Sequence, residues 1–517
     1  MELFLKIAML VVFFGVMIFV GIYCRRHSTN VDGFVLGGRS VGPWLTAFAY
    51  GTSYFSAVVF VGYAGQFGWK YGIAATWAGI GNALLGSLLA WAVLGRRTRV
   101  MTQHLQSATM PQFFEKRFGS NALKIAATFI IFIFLIPYTA SLYNGLSRLF
   151  GMAFNIDYSV CVIVMAILTG IYVIAGGYMA TAINDFIQGI IMIFGIIAII
   201  AAVLGSKGGF LAALDGLAQV TDESVSLTPG VFNSFFGPDP LNLLGVVILT
   251  SLGTWGLPQM VQKFYAIKSE QAVSKGMIIS TLFACIVAGG CYFLGGFGRL
   301  FSDVVDVAAN GYDSIIPTML SGLPAILIGI VVILVLSASM STLSSLVLTS
   351  SSTMTLDFIA PFLKKDMTEK QKLFTMRVLI AVFILISVVI ALVQYKAGVT
   401  FIAQLMGVSW GALAGAFLAP FLYGLYWKRT TKLACYVNFA FSTVVMVLNI
   451  FLRSSFPAIL QSPINAGAFC MLAGLVIVPV VSLLSKAPDR PIVEEIFSCY
   501  EKKVTVKATE AIGDEAK

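Results

Sequence analysis

Apolar residues fill most of this chain in long runs, and polar residues gather in short clusters between them. A run of about 20 apolar residues is the length that crosses a bilayer as a helix, and the pattern predicts thirteen. α1 covers about 4–24 and stops at Arg25-Arg26; α2 covers about 43–65, α3 about 72–95, α4 about 121–150, α5 about 157–176 and α6 about 181–205. α7 covers about 241–265, α8 about 273–298, α9 about 323–357, α10 about 375–395, α11 about 400–427, α12 about 432–452 and α13 about 465–485. A polar segment, 206–240, lies between α6 and α7 and carries Asp215, Asp222, Glu223 and Asp239. An acidic loop with Asp303, Asp306 and Asp313 follows α8. The tail, 486–517, is polar, mixed in charge and expected to be poorly ordered.

Two spans are interrupted in matching places. α2 is broken near Gly51-Thr-Ser-Tyr-Phe-Ser56, and α7 at Thr250-Ser-Leu-Gly-Thr-Trp-Gly-Leu-Pro258. Each opens a run of five spans, and the odd number makes the two runs inverted relative to one another. Taken singly, such a break is also what a Gly or Pro kink without a site looks like. As a matched pair, the breaks point to a binding site near the membrane midplane, where unwound backbone offers carbonyls and half-helix ends.

α9 carries a stripe of hydroxyls from Leu336 to Leu346, continued by Thr349, Ser350, Ser351, Ser352 and Thr353. Ala338, Ser341, Thr342 and Ser345 fall at i, i+3, i+4 and i+7 and share one helix face, with Ser344 beside it. Hydroxyl and carbonyl oxygens suit a hard cation such as sodium stripped of water. Small residues of this kind are also common at helix contacts in membranes.

Composition removes the soluble classes. The 517 residues are 58% hydrophobic and 11% charged, with a mean hydropathy of +0.92, which is a polytopic helical membrane protein in contact with the lipid bilayer. The net charge of +10 follows from positive-inside loops and does not call for nucleic acid as a partner. Placing the N-terminus outside puts about 26 of the 33 Lys and Arg on the cytoplasmic side or tail. The first apolar segment lacks a basic start and a small-residue cleavage motif, so α1 is expected to be retained. Seven scattered Cys read as small hydrophobes. The two His, His27 and His104, fall in loops.

One acidic residue stands apart. Asp185, in Gly176-Gly-Tyr-Met-Ala-Thr-Ala-Ile-Asn-Asp185-Phe-Ile-Gln188, lies near the start of α6 with no basic neighbour in sequence. A carboxylate there is costly unless it faces a cavity or a cation; alternatively it caps α6 at the interface, beside Asn184.

These motifs together resemble one family. Gly176-Gly177, Asn184-Asp185 and Gln188 are similar to a signature of the sodium:solute symporter family. Met340-Ser-Thr-Leu-Ser-Ser345 resembles its sodium-site helix, and Pro420-Phe-Leu-Tyr-Gly-Leu-Tyr-Trp-Lys428 resembles the end of the span matching α11. The likeness runs in order from Gly37-Gly-Arg39 to about Lys428. Tyr54-Phe-Ser-Ala57 and Gly256-Leu-Pro258 are most similar to the bacterial pantothenate and proline permease branch. The resemblance implies an all-α, LeuT-like 5+5 inverted repeat: an extra helix and cytoplasmic loop at 1–42, repeats at 43–205 and 241–427, an extracellular loop at 206–240, two added helices at 428–485 and a cytoplasmic tail at 486–517. It implies a sodium site made by the carbonyls of Thr52, Phe55 and Ala338 and the hydroxyls of Ser341 and Thr342. A second sodium site from Asp185 with Ser341, Ser344 and Ser345, as in family members with two sodium ions, is one expectation; the alternative is that Asp185 only lines the sodium exit path. Tyr138 matches the family's substrate contact. The chain departs from proline permeases at Tyr54, where those carry an aspartate, and at Thr250 and Thr254, where those carry aromatics.

The expected function is symport of a small organic solute with sodium into the cell, by a chain working as a monomer. A half-helix N-terminus with no lysine or arginine at that depth favours a carboxylate-bearing solute, lined by Tyr54, Ser56, Tyr138, Thr254 and Trp255. A membrane enzyme would need more intramembrane chemistry than Asp185 alone, and a sensor would need a signalling domain that the tail does not hold. A proton-coupled carrier of the same fold is the nearer rival.

Overall fold

The computed structural model describes residues 2–25, 29–154, 156–396 and 402–501, with only the main chain of Tyr54. His27 lies outside the described residues. Among these residues the protein is helical throughout; β-structure is confined to two isolated bridges, Val41 with Ile267 and Asp222 with Ser226.

α1 is Glu2–Cys24 and α4 is Asn121–Phe154. α8 is Glu270–Gly295, and α9 is Ala325–Thr353 running on into Met354–Leu363. α10 is Glu369–Lys396, α11 Ile402–Tyr426, α12 Lys432–Phe451 and α13 Pro463–Leu484. Among the described residues ten helices are long and apolar enough to cross a membrane, or eleven with the bent pair Pro240–Gly256 and Pro258–Ala266 that forms α7. The thirteen expected crossings are reconciled with that count by two helices of about double length. Val58–His104 has 47 residues and Tyr158–Ser206 has 49, whereas one crossing needs about 20. Each turns on a glycine in left-handed backbone at the expected boundary: Gly72 between α2 and α3, and Gly177 between α5 and α6. At Gly177 a Cβ would also lie 2.8 Å from the Phe34 carbonyl oxygen, so the position excludes a side chain twice over.

Burial sorts the helices by role. The most apolar stretches of α9 and α11 are 78% and 83% buried, against 28% for α1 and 39% for α10, α12 and α13. α9 and α11 are therefore central, and the least buried helices present apolar side chains to lipid.

The tail departs from expectation. Arg490–Phe497 is a helix with Val493, Ile496 and Phe497 buried. Arg117 lies over the Phe497 ring at 5.0 Å, and the Tyr500 hydroxyl donates to the Arg97 carbonyl at 3.2 Å. Its apolar side thus docks on the loop-side helices, while 502–517 lie outside the described residues. His104 closes the helix Arg96–His104 instead of lying in a loop. Asp185 is also joined by a second buried acid in a span: Asp357 accepts from Thr109 at 2.6 Å and Gln112 at 2.8 Å. Its hydrogen bonds come from the helix Met110–Phe118 and its N-cap, a contact invisible along the sequence.

Candidate ion and solute site

The break in α2 falls where the motif placed it. Pro43–Tyr54 ends in extended backbone at Phe55, and the chain becomes helical again through Val58–Tyr63 and Ala64–Tyr71. Ser56 restarts it: its hydroxyl accepts from the Val58 amide at 3.2 Å. The gap leaves carbonyls of the first half without the helical ladder, and α9 lies against them. The Thr342 hydroxyl is 3.2 Å from the Thr52 carbonyl oxygen, 3.3 Å from that of Phe55 and 3.1 Å from that of Ala338. The Ser341 hydroxyl is 3.0 Å from the carbonyl oxygens of Thr52 and Ala338. Five oxygens thus converge in a fully buried spot. Two hydroxyl protons face three carbonyls, and each proton serves one acceptor well. The surplus of lone pairs is what a cation would take up; calcium, a hard cation of similar size, binds such oxygens at about 2.3–2.6 Å.

The second group expected on α9 does not assemble as expected. Ser341 faces the five-oxygen cage, and the Ser344 hydroxyl donates to the Ser341 carbonyl of its own helix at 2.8 Å. Ser345 meets a lysine that in turn faces Asp185. Lys263 Nζ donates to Ser345 Oγ at 3.0 Å and lies 3.9 Å from Asp185 Oδ2. Ser345 Oγ also lies 2.9 Å from Ser53 Oγ. Lys263 is 2% exposed and Asp185 0%, so the expectation that no lysine or arginine sits at this depth is corrected. In sequence Lys263 lies near the C-terminal end of α7, where the apolar pattern does not mark it as buried. The bend of 45° at Leu257 redirects Pro258–Ala266 into the interior.

Of the solute residues, two come together. The Tyr138 hydroxyl lies near the side chains of Ser56 and Trp410 without the geometry of a hydrogen bond to either, and the Trp410 Nε1 is likewise unpartnered. The rings of Tyr138 and Trp410 meet edge to face at 5.9 Å. Trp410, inside the apolar α11, carried no sequence signal beyond its own polar nitrogen. Thr254 and Trp255 are not in this group: the Thr254 hydroxyl donates to Gly86 and the Trp255 Nε1 to Leu85, each at 2.9 Å, both on α3. Their polar atoms tie α7 to α3. The side chain of Tyr54 lies outside the described residues. On the side of segment 206–240, a cavity of about 520 Å³ is lined by Lys70, Tyr71, Asp239, Gln404 and Arg453, among others.

Residues 34–436 match the model of the sodium:solute symporter family. The chain belongs to that family. It is therefore a multi-pass membrane transporter and not an enzyme, and sodium is its coupling ion. The sodium/proline symporter of Staphylococcus aureus is 30% identical over 448 residues, covering 85% of each chain. A solved structure of a Na+-coupled sialic acid symporter, in its substrate-bound outward-open state, superposes with a TM-score of 0.71 at 16% identity, covering 93% of this chain and 98% of that one. A manganese transporter of Eremococcus coleocola gives 0.51 at 11% identity, with 90% and 96% covered. At these identities the two structures speak for the LeuT-like fold alone.

Proposed function

We propose that this symporter imports a small carboxylate-bearing solute, such as an amino acid, pantothenate or a short monocarboxylate, with sodium held in the five-oxygen cage. The observation that carries this reading is the surplus of buried oxygens where Thr342 and Ser341 meet the broken α2. The cage joins two helices, so an ion bound there favours the arrangement in which they are together, and ligand binding acts by its different affinity for two states. The resemblance to sodium/proline symporters supports the solute class, and Ser56, Tyr138 and Trp410 are the side chains that would meet it. Proline itself is less favoured, given Tyr54, Thr250 and Thr254. The N-terminus is placed outside and the C-terminus in the cytoplasm, with repeats at 43–205 and 241–427.

Uptake into vesicles at fixed pH, with sodium replaced by choline, tests the coupling against a proton-coupled carrier: solute entry stops without sodium and does not respond to a proton gradient. Thr342→Ala then locates the ion. Loss of one charged-group interaction of about 1.5–3 kcal/mol raises the half-saturating sodium concentration about 10- to 100-fold, with the protein still folded and inserted. Unchanged sodium dependence in that variant would place the ion elsewhere.

A further inference from the structure

We propose that Lys263 is a built-in cation that fills the second ion pocket of this transporter, so that a single sodium ion is loaded with each solute. The proposal rests on the sodium cage described above and concerns its neighbour. Four observations carry it. The Lys263 ammonium is buried with its stem in Pro258–Ala266. It donates to Ser345 at 3.0 Å and faces the Asp185 carboxylate at 3.9 Å. It lies 5.1 Å from the centre of the Tyr178 ring, within the range of cation–π attraction. Neither Asp185 oxygen accepts a hydrogen bond from the described residues, so the ammonium is the charge that answers it.

A sodium ion in this pocket would ask for the same things: one carboxylate and the hydroxyls of α9. With Lys263 present, a sodium ion would share one negative charge with a second positive charge, away from water, where like charges repel most strongly. The ammonium differs from sodium in being tethered, so it stays with the protein through every cycle. Its position also links it to the cage. Ser345 follows Thr342 by one helical turn, and Ser53, beside Thr52, lies 2.9 Å from Ser345. The lysine therefore stands next to the transported ion, on the side of the cage toward the C-terminal end of α7.

Radiolabelled sodium bound per purified protein, at saturating concentration and without solute, counts the sites directly. The expected result is one ion for the wild type, a weakened single site for Thr342→Ala, and two ions for Lys263→Ser, which removes the charge and opens the pocket. Adding Asp185→Asn to Lys263→Ser returns the count to one. If Lys263→Ser does not purify as a folded protein, Lys263→Met, which keeps the stem and loses the charge, is counted in its place with the same expectation. Two ions on the wild type overturn the proposal while leaving the cage intact. A folded lysine variant that still binds one ion also overturns it. No bound ion on the wild type overturns both this proposal and the cage.

Discussion

Tyr138 ends in a buried hydroxyl that no described residue hydrogen-bonds, and an unserved polar group in a dry interior costs stability. Tyr138→Phe is therefore expected to leave thermal stability unchanged or slightly raised. If the hydroxyl meets the solute, the same change raises the KM for solute about 10-fold or more, with the sodium half-saturation near its wild-type value. Solute and sodium titrations of the two proteins, side by side, check both halves. The residue was legible in the sequence through its family match, whereas Trp410 was not: a tryptophan inside an apolar helix looks like packing until its nitrogen is seen without a partner. Helical spacing fixes which side chains share a face, so Ser341 and Thr342 had to lie with Ala338, whereas Thr52 and Phe55 came only from the family resemblance. Lys263 could not be read, because its depth depends on the bend at Leu257 and on α6 bringing Asp185 to meet it.

At the scale of elements, the breaks in α2 and α7 were plain from Gly, Ser and Pro within apolar runs, and both occur within a few residues of the expected points. The same pattern also separated α2 from α3 and α5 from α6, and the chain turns there at Gly72 and Gly177. A further element junction has a pH signature. Asp313, in the short helix Tyr312–Ser314 of the acidic loop, is buried and accepts from the Ile402 amide that opens α11 at 3.4 Å. Burial pushes its carboxyl up to about 7, against the lowering influence of the Ile402 amide and Arg148. In an unfolded chain an aspartate titrates near about 3.9. The folded protein thus holds this proton more tightly, and the contribution to stability is full below about 4 and declines as pH rises through about 7. Thermal unfolding in detergent is expected to show a lower Tm at pH 8 than at pH 5 for the wild type, and a flatter profile for Asp313→Asn. Equal slopes in the two proteins would remove Asp313 as the cause.

For the whole molecule, the apolar runs were enough to anticipate a helical bundle, and the positive-inside bias sets the direction of insertion proposed above. The docking of Arg490–Phe497 escaped notice because its apolar side is three residues wide and its partners, Arg97 and Arg117, lie far away in sequence. The direction can be measured with two cysteines. Leu227, 69% exposed in segment 206–240, and Lys365, exposed in the turn after α9, lie on opposite sides in the proposed orientation. An impermeant maleimide on intact cells is expected to label Leu227→Cys at once and Lys365→Cys only after permeabilisation; the reverse pattern would invert the protein.

The five-oxygen cage has a consequence for how such a protein can change over generations. Three of its oxygens, those of Thr52, Phe55 and Ala338, belong to the main chain, and point mutation does not delete a carbonyl. With sodium in the cage as proposed, the heritable target for loss of ion binding is small: two hydroxyls, and whatever keeps α2 unwound at Phe55. In the same proposal the side chains that would meet the solute, Ser56 on α2, Tyr138 on α4 and Trp410 on α11, are free to drift under selection for a new solute while the ion requirement persists. A lineage built this way can diversify its cargo without reinventing its source of energy.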